Sequence, residues 1–462
     1  MTWSTQQASE LRFLPQMTIQ TSNSSMQQPA ANLFDAAKQH FVQGIGHYES
    51  GEYTQAQSSF EASLALLPGR ASTLTNLGAT LVKLGQSEAA LARLDEALVL
   101  DANAVDALSH RGLALANLGR HAEALACQDA VLRLKPEFIP AVYQRSLLLK
   151  LLGRYQEAVD LTSRLVALDA NNLEVWWVRA EALNRLGQHD AALAAFDQLL
   201  HLAPTLPDAW SQKAGLLKDL GRQAEALAAF RQALALGGDP DLNSYFIASL
   251  TGQQAPNAPP RQYVAGLFDD YAEHFDQHLV EVLGYQAHRV LVENLKGIGK
   301  THHRSALDLG CGTGLCGPLL RSQVGRFSGV DLSSQMLAKA RELGLYDALV
   351  QADLAEYLQG IDQRYDLLLS SDVFIYVGAL EKVFAGAERV LERGGVFCFS
   401  IESASDVHDF YLMPSQRYAH SERYIRTLAA SHGFTVSQIV AQPIRQDQRQ
   451  NIDGLYIYLV KT

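Results

Sequence analysis

Cysteine is scarce in this chain. Its 462 residues hold four, Cys127, Cys311, Cys316 and Cys398, with no C-x-x-C pair and no histidines at matching spacing. That pattern argues against a disulfide framework and a structural zinc site. It suits a reducing compartment, so a cytoplasmic location is expected. No run of Lys or Arg occurs, and the formal net charge is -11. An acidic surface repels nucleic acid and anionic lipid, so neither is expected as a partner. No apolar stretch reaches the roughly 18 residues a membrane span needs. The N-terminus lacks the basic start and apolar core of a secretory signal. Residues 1–30 are rich in Gln, Ser and Thr, which predicts a disordered tail. Met17 and Met26 leave a later natural start open. The chain as a whole is 48% hydrophobic and 19% charged, an ordinary balance for folded domains.

The first half repeats itself. "SGEYTQA", "LGQSEAA", "LGRHAEA", "LGRYQEA", "LGQHDAA" and "LGRQAEA" place Gly51, Gly85, Gly119, Gly153, Gly187 and Gly221 at a constant step of 34 residues. Each unit reads as helix, turn, helix. In the second unit "ASTLTNLGATLVKLG" sets Leu74, Leu77, Gly78 and Leu81 on one face, and "SEAALARLDEALVL" follows with Ala90, Leu94 and Ala97 inward. Small residues at Gly44, Gly78, Gly112, Ser146, Ala180 and Ala214, and at Ala56, Ala90, Ala124, Ala158, Ala192 and Ala226, let paired helices approach. These positions resemble the signature of the tetratricopeptide repeat. The resemblance implies an all-α superhelix over residues 31–250, six units long, whose concave face binds a protein or peptide.

One column of the repeat is cationic: Arg111, Arg145, Arg179 and Lys213. Two readings stay open. The column is a ladder for an acidic peptide or carboxylate, or its stems pack between repeats with their heads paired internally. Trp176, Trp177 and Trp210 divide in the same way between packing and a binding groove.

"TGQQAPNAPPRQ" then reads as a linker over residues 251–261. Beyond it short apolar strands alternate with amphipathic helices, which predicts a mostly parallel sheet over residues 262–462. The glycines of "LDLGCGTGLCG", residues 307–317, fit two registers. Gly310, Gly312 and Gly314 fit D-x-G-x-G-x-G; Gly312, Gly314 and Gly317 fit the dinucleotide pattern G-x-G-x-x-G. A pyrophosphate needs bare N–H groups at a helix start, and the carboxylate of Asp308 just ahead would repel it. S-adenosylmethionine carries no phosphate. Its ammonium, ribose diol and adenine suit Asp308, Asp331 and Asp353 in turn, each at or near a strand end. A redox dinucleotide is the alternative.

"LDLGCGTG", "GVDLS", "ADLAEYL", "YDLLLSSDVFIYV" and "LERGGVFCFS" occur in the order and spacing of the class I S-adenosylmethionine-dependent methyltransferases, and the second half resembles that family. The resemblance implies a Rossmann-like α/β domain of seven strands with S-adenosylmethionine as cofactor. It implies cofactor contacts at Asp308, Gly310, Cys311, Gly312 and Gly314. It also implies them at Asp331, Leu332, Asp353, Leu354 and Ser371, with Tyr271 and Phe275 on a covering helix. Asp372 and Tyr376, after the fourth strand, are candidate catalytic residues, with His420 as a candidate base. His420 as an ordinary surface or capping histidine is the competing reading. Arg417 and Tyr418 are candidates for holding the acceptor. His274 and His278 lie four apart, as a metal pair would, but no third ligand accompanies them, so no metal is expected. The N-P-P-Y tetrapeptide of nucleic-acid N-methylation is absent. Three functions remain open: methylation of a small molecule, methylation of a protein gripped by the repeats, and a scaffold with a vestigial cofactor domain.

Overall fold

A computed structural model describes residues 27–462, apart from 254, 274, 278, 280–282 and 448–449. His274 and His278 therefore lie outside the described residues, as does the tail up to residue 26. The helix that opens the structure starts at Gln27, inside the stretch expected to be tail. The chain divides into two compact units, residues 1–205 and 206–462.

The first unit is built from helix pairs. They are α1 (Gln27–Glu49), α2 (Tyr53–Leu66), α3 (Ala71–Lys83), α4 (Ser87–Leu100), α5 (Val105–Asn117), α6 (His121–Leu134), α7 (Ile139–Leu151), α8 (Tyr155–Leu168), α9 (Leu173–Arg185) and α10 (His189–Leu202). The turn glycine has a structural reason. Gly85 has φ 74°, and Gln86 N–H donates to Leu81 O at 2.9 Å while Gly85 N–H donates to Val82 O at 3.1 Å. This is a Schellman closure, which needs a left-handed residue at that point. The small residues of the first helix also have a reason. A Cβ on Gly78 would lie 2.4 Å from the Leu94 side chain, so the two helices meet there without room for a methyl group.

The cationic column of this unit is engaged internally. Arg111 Nε donates to Asp95 at 2.7 Å, and Arg145 Nε donates to Asp129 at 2.7 Å. Arg179 donates to Ser163 Oγ and to the Val159 carbonyl. Each partner side chain lies 16 residues upstream. Trp176 Nε1 donates to Ala170 O at 2.8 Å, and Trp177 packs edge-on to Phe196. For Arg111, Arg145, Arg179, Trp176 and Trp177 these contacts follow the packing reading.

The second unit begins with three further helices, α11 (Pro207–Asp219), α12 (Gln223–Ala235) and α13 (Pro240–Thr251), followed by α14 (Arg261–Tyr271) and α15 (Ala287–Leu295). The α/β region then runs β1 (His303–Leu309), α16 (Gly317–Leu320), β2 (Val324–Asp331), α17 (Ser334–Glu342), β3 (Ala348–Gln351), α18 (Leu354–Gly360), β4 (Tyr365–Ser370), α19 (Glu381–Val390) and β5 (Leu391–Ala404). It ends with β6 (Phe410–Leu412), β7 (Tyr418–Ser421), α20 (Glu422–Ser431), β8 (Phe434–Asp447) and β9 (Gln450–Lys461).

Strands β3-β2-β1-β4-β5 are parallel neighbours; β9 runs antiparallel to β5, and β8 antiparallel to β9. That path is the seven-stranded sheet expected from the sequence. Its two faces are separate cores. Leu307, Leu309, Leu368, Phe397 and Phe399 pack on one side, and Ala306, Leu367, Leu369, Val396 and Cys398 on the other. The alternation follows from the period of two along a strand.

The sheet carries two strands more than expected, the hairpin β6–β7. Glu402 pairs with Gly454 of β9 and with Ala419 of β7. A strand residue has one neighbour on each edge, so β7 occupies the β4 edge of β5, beyond the end of β4. All four β7 residues are buried.

The unit boundary at 205/206 falls ahead of the expected linker for a packing reason. Tyr245 of α13 is fully buried, with its ring 5.7 Å from Tyr263 and 6.5 Å from Tyr418, and Phe246 stands edge-on to Tyr263 at 5.3 Å. The intervening segment is also engaged: Pro256 O accepts from Tyr418 Oη at 2.8 Å, and Asn257 O accepts from Ala379 N at 2.8 Å.

Candidate active site

The crevice sits beyond the carboxyl ends of β1, β2 and β4, where this topology leaves room between diverging loops. A cavity of about 870 Å³ fills it. The turn after β1 hugs the next strand: Gly310 and Cys311 N–H both donate to Val330 O, at 2.8 and 3.0 Å. Gly310 has φ 71°, and a Cβ there would lie 2.5 Å from the Val373 side chain. Only glycine suits that position on both counts.

Asp308 is 1% exposed and accepts a 2.8 Å hydrogen bond from Tyr346 Oη. Tyr346 is stacked on Phe327 with centroids 4.4 Å apart, which fixes the phenol. Burial pushes the Asp308 carboxyl up to about 7, with the Tyr346 bond pulling the other way. Asp331 closes β2. Its Oδ2 accepts from Gly312 N at 2.8 Å and its Oδ1 from Ser333 N at 2.9 Å, while burial raises its pKa. Asp353 caps α18 by accepting from Ala355 and Glu356 N–H at 3.0 Å each.

Asp308, Gly310, Cys311, Gly312, Asp331, Leu332, Asp353, Leu354 and Ser371 all line the cavity, together with Tyr271 and Phe275. Gly314 lies behind it, where a Cβ would meet Tyr346 and Leu343 at 3.0 and 2.9 Å. The three carboxylates and the glycine turn therefore face one space. A cationic ligand carrying a diol fits them; a pyrophosphate beside Asp308 does not.

Helix α14 and the residues after it cover this space and are tied to its rim. Arg261 reaches Glu356 at 2.6 Å and Asp353 at 3.4 Å. Asp269 accepts from Ser333 Oγ at 2.5 Å, and Asp276 from Thr313 Oγ1 at 2.5 Å. The sequence reading picked the aromatic pair of this segment and missed its carboxylates. The signal was present in "LFDDYAEHFDQHL", where acids interrupt the apolar face.

The far end of the cavity is aromatic and cationic. Arg445 of β8, 3% exposed, donates from Nη1 to both oxygens of Asp372 at 2.7 and 2.8 Å, and from Nη2 to Glu402. Burial raises the pKa of Tyr376, and the positive charge of Arg417 pulls it the other way. Asp372, Tyr376, Arg417 and Arg445 line the cavity. Nothing in the sequence spacing singled out Arg445 or Glu402, because they reach the site from β8 and β5. His288 also lines the cavity. Burial lowers its pKa to about 4, and its Nδ1 has no hydrogen-bond partner.

Two expected residues are elsewhere. His420 and Tyr418 sit on β7, outside the cavity lining. His420 Nε2 lies 2.9 Å from both Val377 O and Gly378 O, and burial lowers its pKa to about 4. Its ring is a brace under the loop after β4. Tyr418 spends its hydroxyl on Pro256 O. Neither the site role nor a surface or capping position fits His420, because the hairpin that buries both residues is too short to show a period in the sequence.

Comparison with known proteins agrees with this geometry. Residues 307–399 match the methyltransferase domain family, and residues 75–137 match the tetratricopeptide repeat. The protein is a tetratricopeptide-repeat protein with a methyltransferase domain. Residues 150–241 also match the bacterial transcriptional activator domain.

Three curated relatives are similar to it in part. The malonyl-acyl-carrier-protein O-methyltransferase of Hamiltonella defensa is 38% identical over 20% of this chain and 36% of its own length. That of Enterobacter lignolyticus is 30% identical over 32% of this chain and 58% of its own. The trans-aconitate 2-methyltransferase of Paracidovorax citrulli is 32% identical over 27% of this chain and 44% of its own. The chain thus spans 36% to 58% of the length of these relatives. Among its described residues, no helix is long and apolar enough to cross a membrane, and no group of three or more His, Cys, Asp or Glu side chains is placed to hold a metal.

Proposed function

We propose that the protein transfers a methyl group from S-adenosylmethionine to a carboxylate oxygen of a small acidic molecule. The observation that carries this reading is the pairing, in one cavity, of a carboxylate-rich cofactor end with an acceptor end where Arg417 and Arg445 meet Asp372 and Tyr376.

Asp308 holds the ammonium side of the cofactor, Asp331 the ribose diol and the Asp353 region the adenine. S-adenosylmethionine supplies an electrophilic methyl on a sulfonium. On the acceptor side, a carboxylate has no proton to lose at neutral pH and needs no general base. That matches the lining. Asp372 is engaged by Arg445, the buried tyrosines hold their protons, and His288 is too weak a base near neutrality. A guanidinium fits a carboxylate through parallel N–H donors. The residues therefore work by alignment and exclusion of water. The relatives' names, malonyl and trans-aconitate, denote acids, which supports an acidic acceptor here.

The repeats fit a role in recruiting a protein or peptide, among them a carrier of the acceptor. The test uses the full chain, methyl-labelled S-adenosylmethionine and a cell extract fractionated by size. Label that enters the small-molecule fraction and is released by mild alkali, as a methyl ester is, supports the reading. Label retained on protein side chains overturns it in favour of a protein acceptor.

A further inference from the structure

We propose that the last repeat sets the position of Arg417, with Lys218 and Tyr245 acting as positioning residues for acceptor binding. The proposal rests on the reading of Arg417 as an acceptor contact.

Arg417 follows a residue in an unusual conformation. Gln416 has φ 59°, the left-handed region that a long side chain rarely adopts. It sits in a tight loop closed by Gln416 N–H to Met413 O at 2.9 Å and Met413 N–H to Arg417 O at 2.8 Å. A backbone of that kind persists where its surroundings over-determine it. Here the surroundings come from the sixth repeat and the helix after it. Tyr245 Oη donates to the Gln416 carbonyl at 2.6 Å, and Lys218 Nζ donates to Gln416 Oε1 at 2.8 Å.

Both donors are held. Tyr245 is fully buried among aromatic rings, and Lys218 Nζ lies 5.0 Å from the Phe246 centroid and 3.1 Å from Asp219. Two donors from separate helices thus grip both polar oxygens of one residue. Its neighbours Ser415 and Arg417 line the cavity with it. Releasing the grip lets residue 416 relax to negative φ, which turns the chain just before Arg417 and moves its guanidinium relative to Tyr376.

The test compares Tyr245→Phe and Lys218→Met with wild type, in the full chain. Phenylalanine keeps the ring and removes only the donor. Three quantities are measured: S-adenosylmethionine affinity by calorimetry, malonate affinity for the S-adenosylhomocysteine complex, and amide exchange over residues 413–418. Malonate serves as the carboxylate probe, and Arg417→Met as the reference. The expected result is unchanged cofactor affinity, malonate affinity weakened roughly three- to tenfold, and faster exchange in the loop. In the Arg417→Met background, Tyr245→Phe then changes malonate affinity no further.

Unchanged exchange and malonate affinity overturn the proposal. So does a uniform loss of cofactor and malonate binding with a lowered melting temperature, which marks general damage. If wild type takes no malonate, the carboxylate reading fails on its own. The positioning claim then stands or falls on the exchange of residues 413–418 at constant cofactor affinity.

Discussion

Asp372 and Gln416 have φ of 61° and 59°; among the described residues no other non-glycine has a positive φ, and both line one cavity. Each is pinned from outside its own loop. Asp372 N–H donates to Ser400 Oγ at 2.8 Å and its carboxylate is gripped by Arg445, while Gln416 is gripped by Lys218 and Tyr245. Strained backbone costs about 1–3 kcal/mol per residue and collects where geometry matters more than stability. In this protein it collects on the two segments that carry Asp372 and Arg417.

The Asp372–Arg445–Glu402 cluster predicts an ordering of variants. Arg445→Met leaves two buried carboxylates without their cation, and its cost is expected at about 3–5 kcal/mol. Asp372→Asn keeps the shape and one partner for Arg445, at a cost of about 1–3 kcal/mol. Urea unfolding of the two variants checks the ordering, and a milder effect for Arg445→Met refutes it.

Asp308 predicts how cofactor binding responds to pH. Its carboxyl titrates near 7 when no cation is present. An ammonium favours the ionised form, so binding below that pH releases a proton. Affinity for S-adenosylmethionine should rise from pH 6 to pH 8 and then level off. Calorimetry in buffers of different ionisation enthalpy measures the released proton, and Asp308→Asn should flatten the profile. Without ligand the sign reverses. A carboxyl raised above its ordinary value stabilises the fold at low pH, and this contribution is lost as pH rises through about 7.

Asp331 holds two backbone N–H groups and faces the cavity. Asp331→Ala should weaken S-adenosylmethionine binding about 10- to 100-fold, as expected for losing charged hydrogen bonds. An affinity equal to wild type would falsify the ribose assignment.

The position of the unit boundary predicts which fragments behave. Residues 206–462 keep Tyr245 and Phe246 packed on Tyr263 and Tyr418. Residues 262–462 lack Tyr245 and Phe246 and leave Tyr263 and Tyr418 uncovered. Thermal unfolding of both fragments should show the longer one several degrees more stable, and it alone should keep its cofactor affinity.

Much of this was legible in the sequence because the signals were periodic or local. The 34-residue step placed α3 and α4, and the short apolar runs at "LDLGCGTG" and "YDLLLSSDVFIYV" marked β1 and β4. The acids at strand ends pointed to one crevice because topology alone brings strand ends together. What stayed hidden were contacts made across the fold. Arg445 meets Asp372 from 73 residues away, and Tyr245 meets Gln416 from 171. His420 misled because a histidine near a site reads as chemistry, while its burial on a four-residue strand has no period to reveal it.

The cover over the cofactor end has a kinetic consequence. Its ties, Arg261 to Glu356 and Asp353, Asp269 to Ser333 and Asp276 to Thr313, are polar and lie at the rim. A cofactor held as proposed above leaves past these ties. Dissolved salt screens charges beyond about 8–10 Å at physiological strength and competes with rim pairs directly. The off-rate of S-adenosylhomocysteine should then climb with ionic strength while the buried acceptor cluster around Arg445 stays indifferent to it. Turnover of the proposed reaction then carries a throttle set by the surrounding electrolyte.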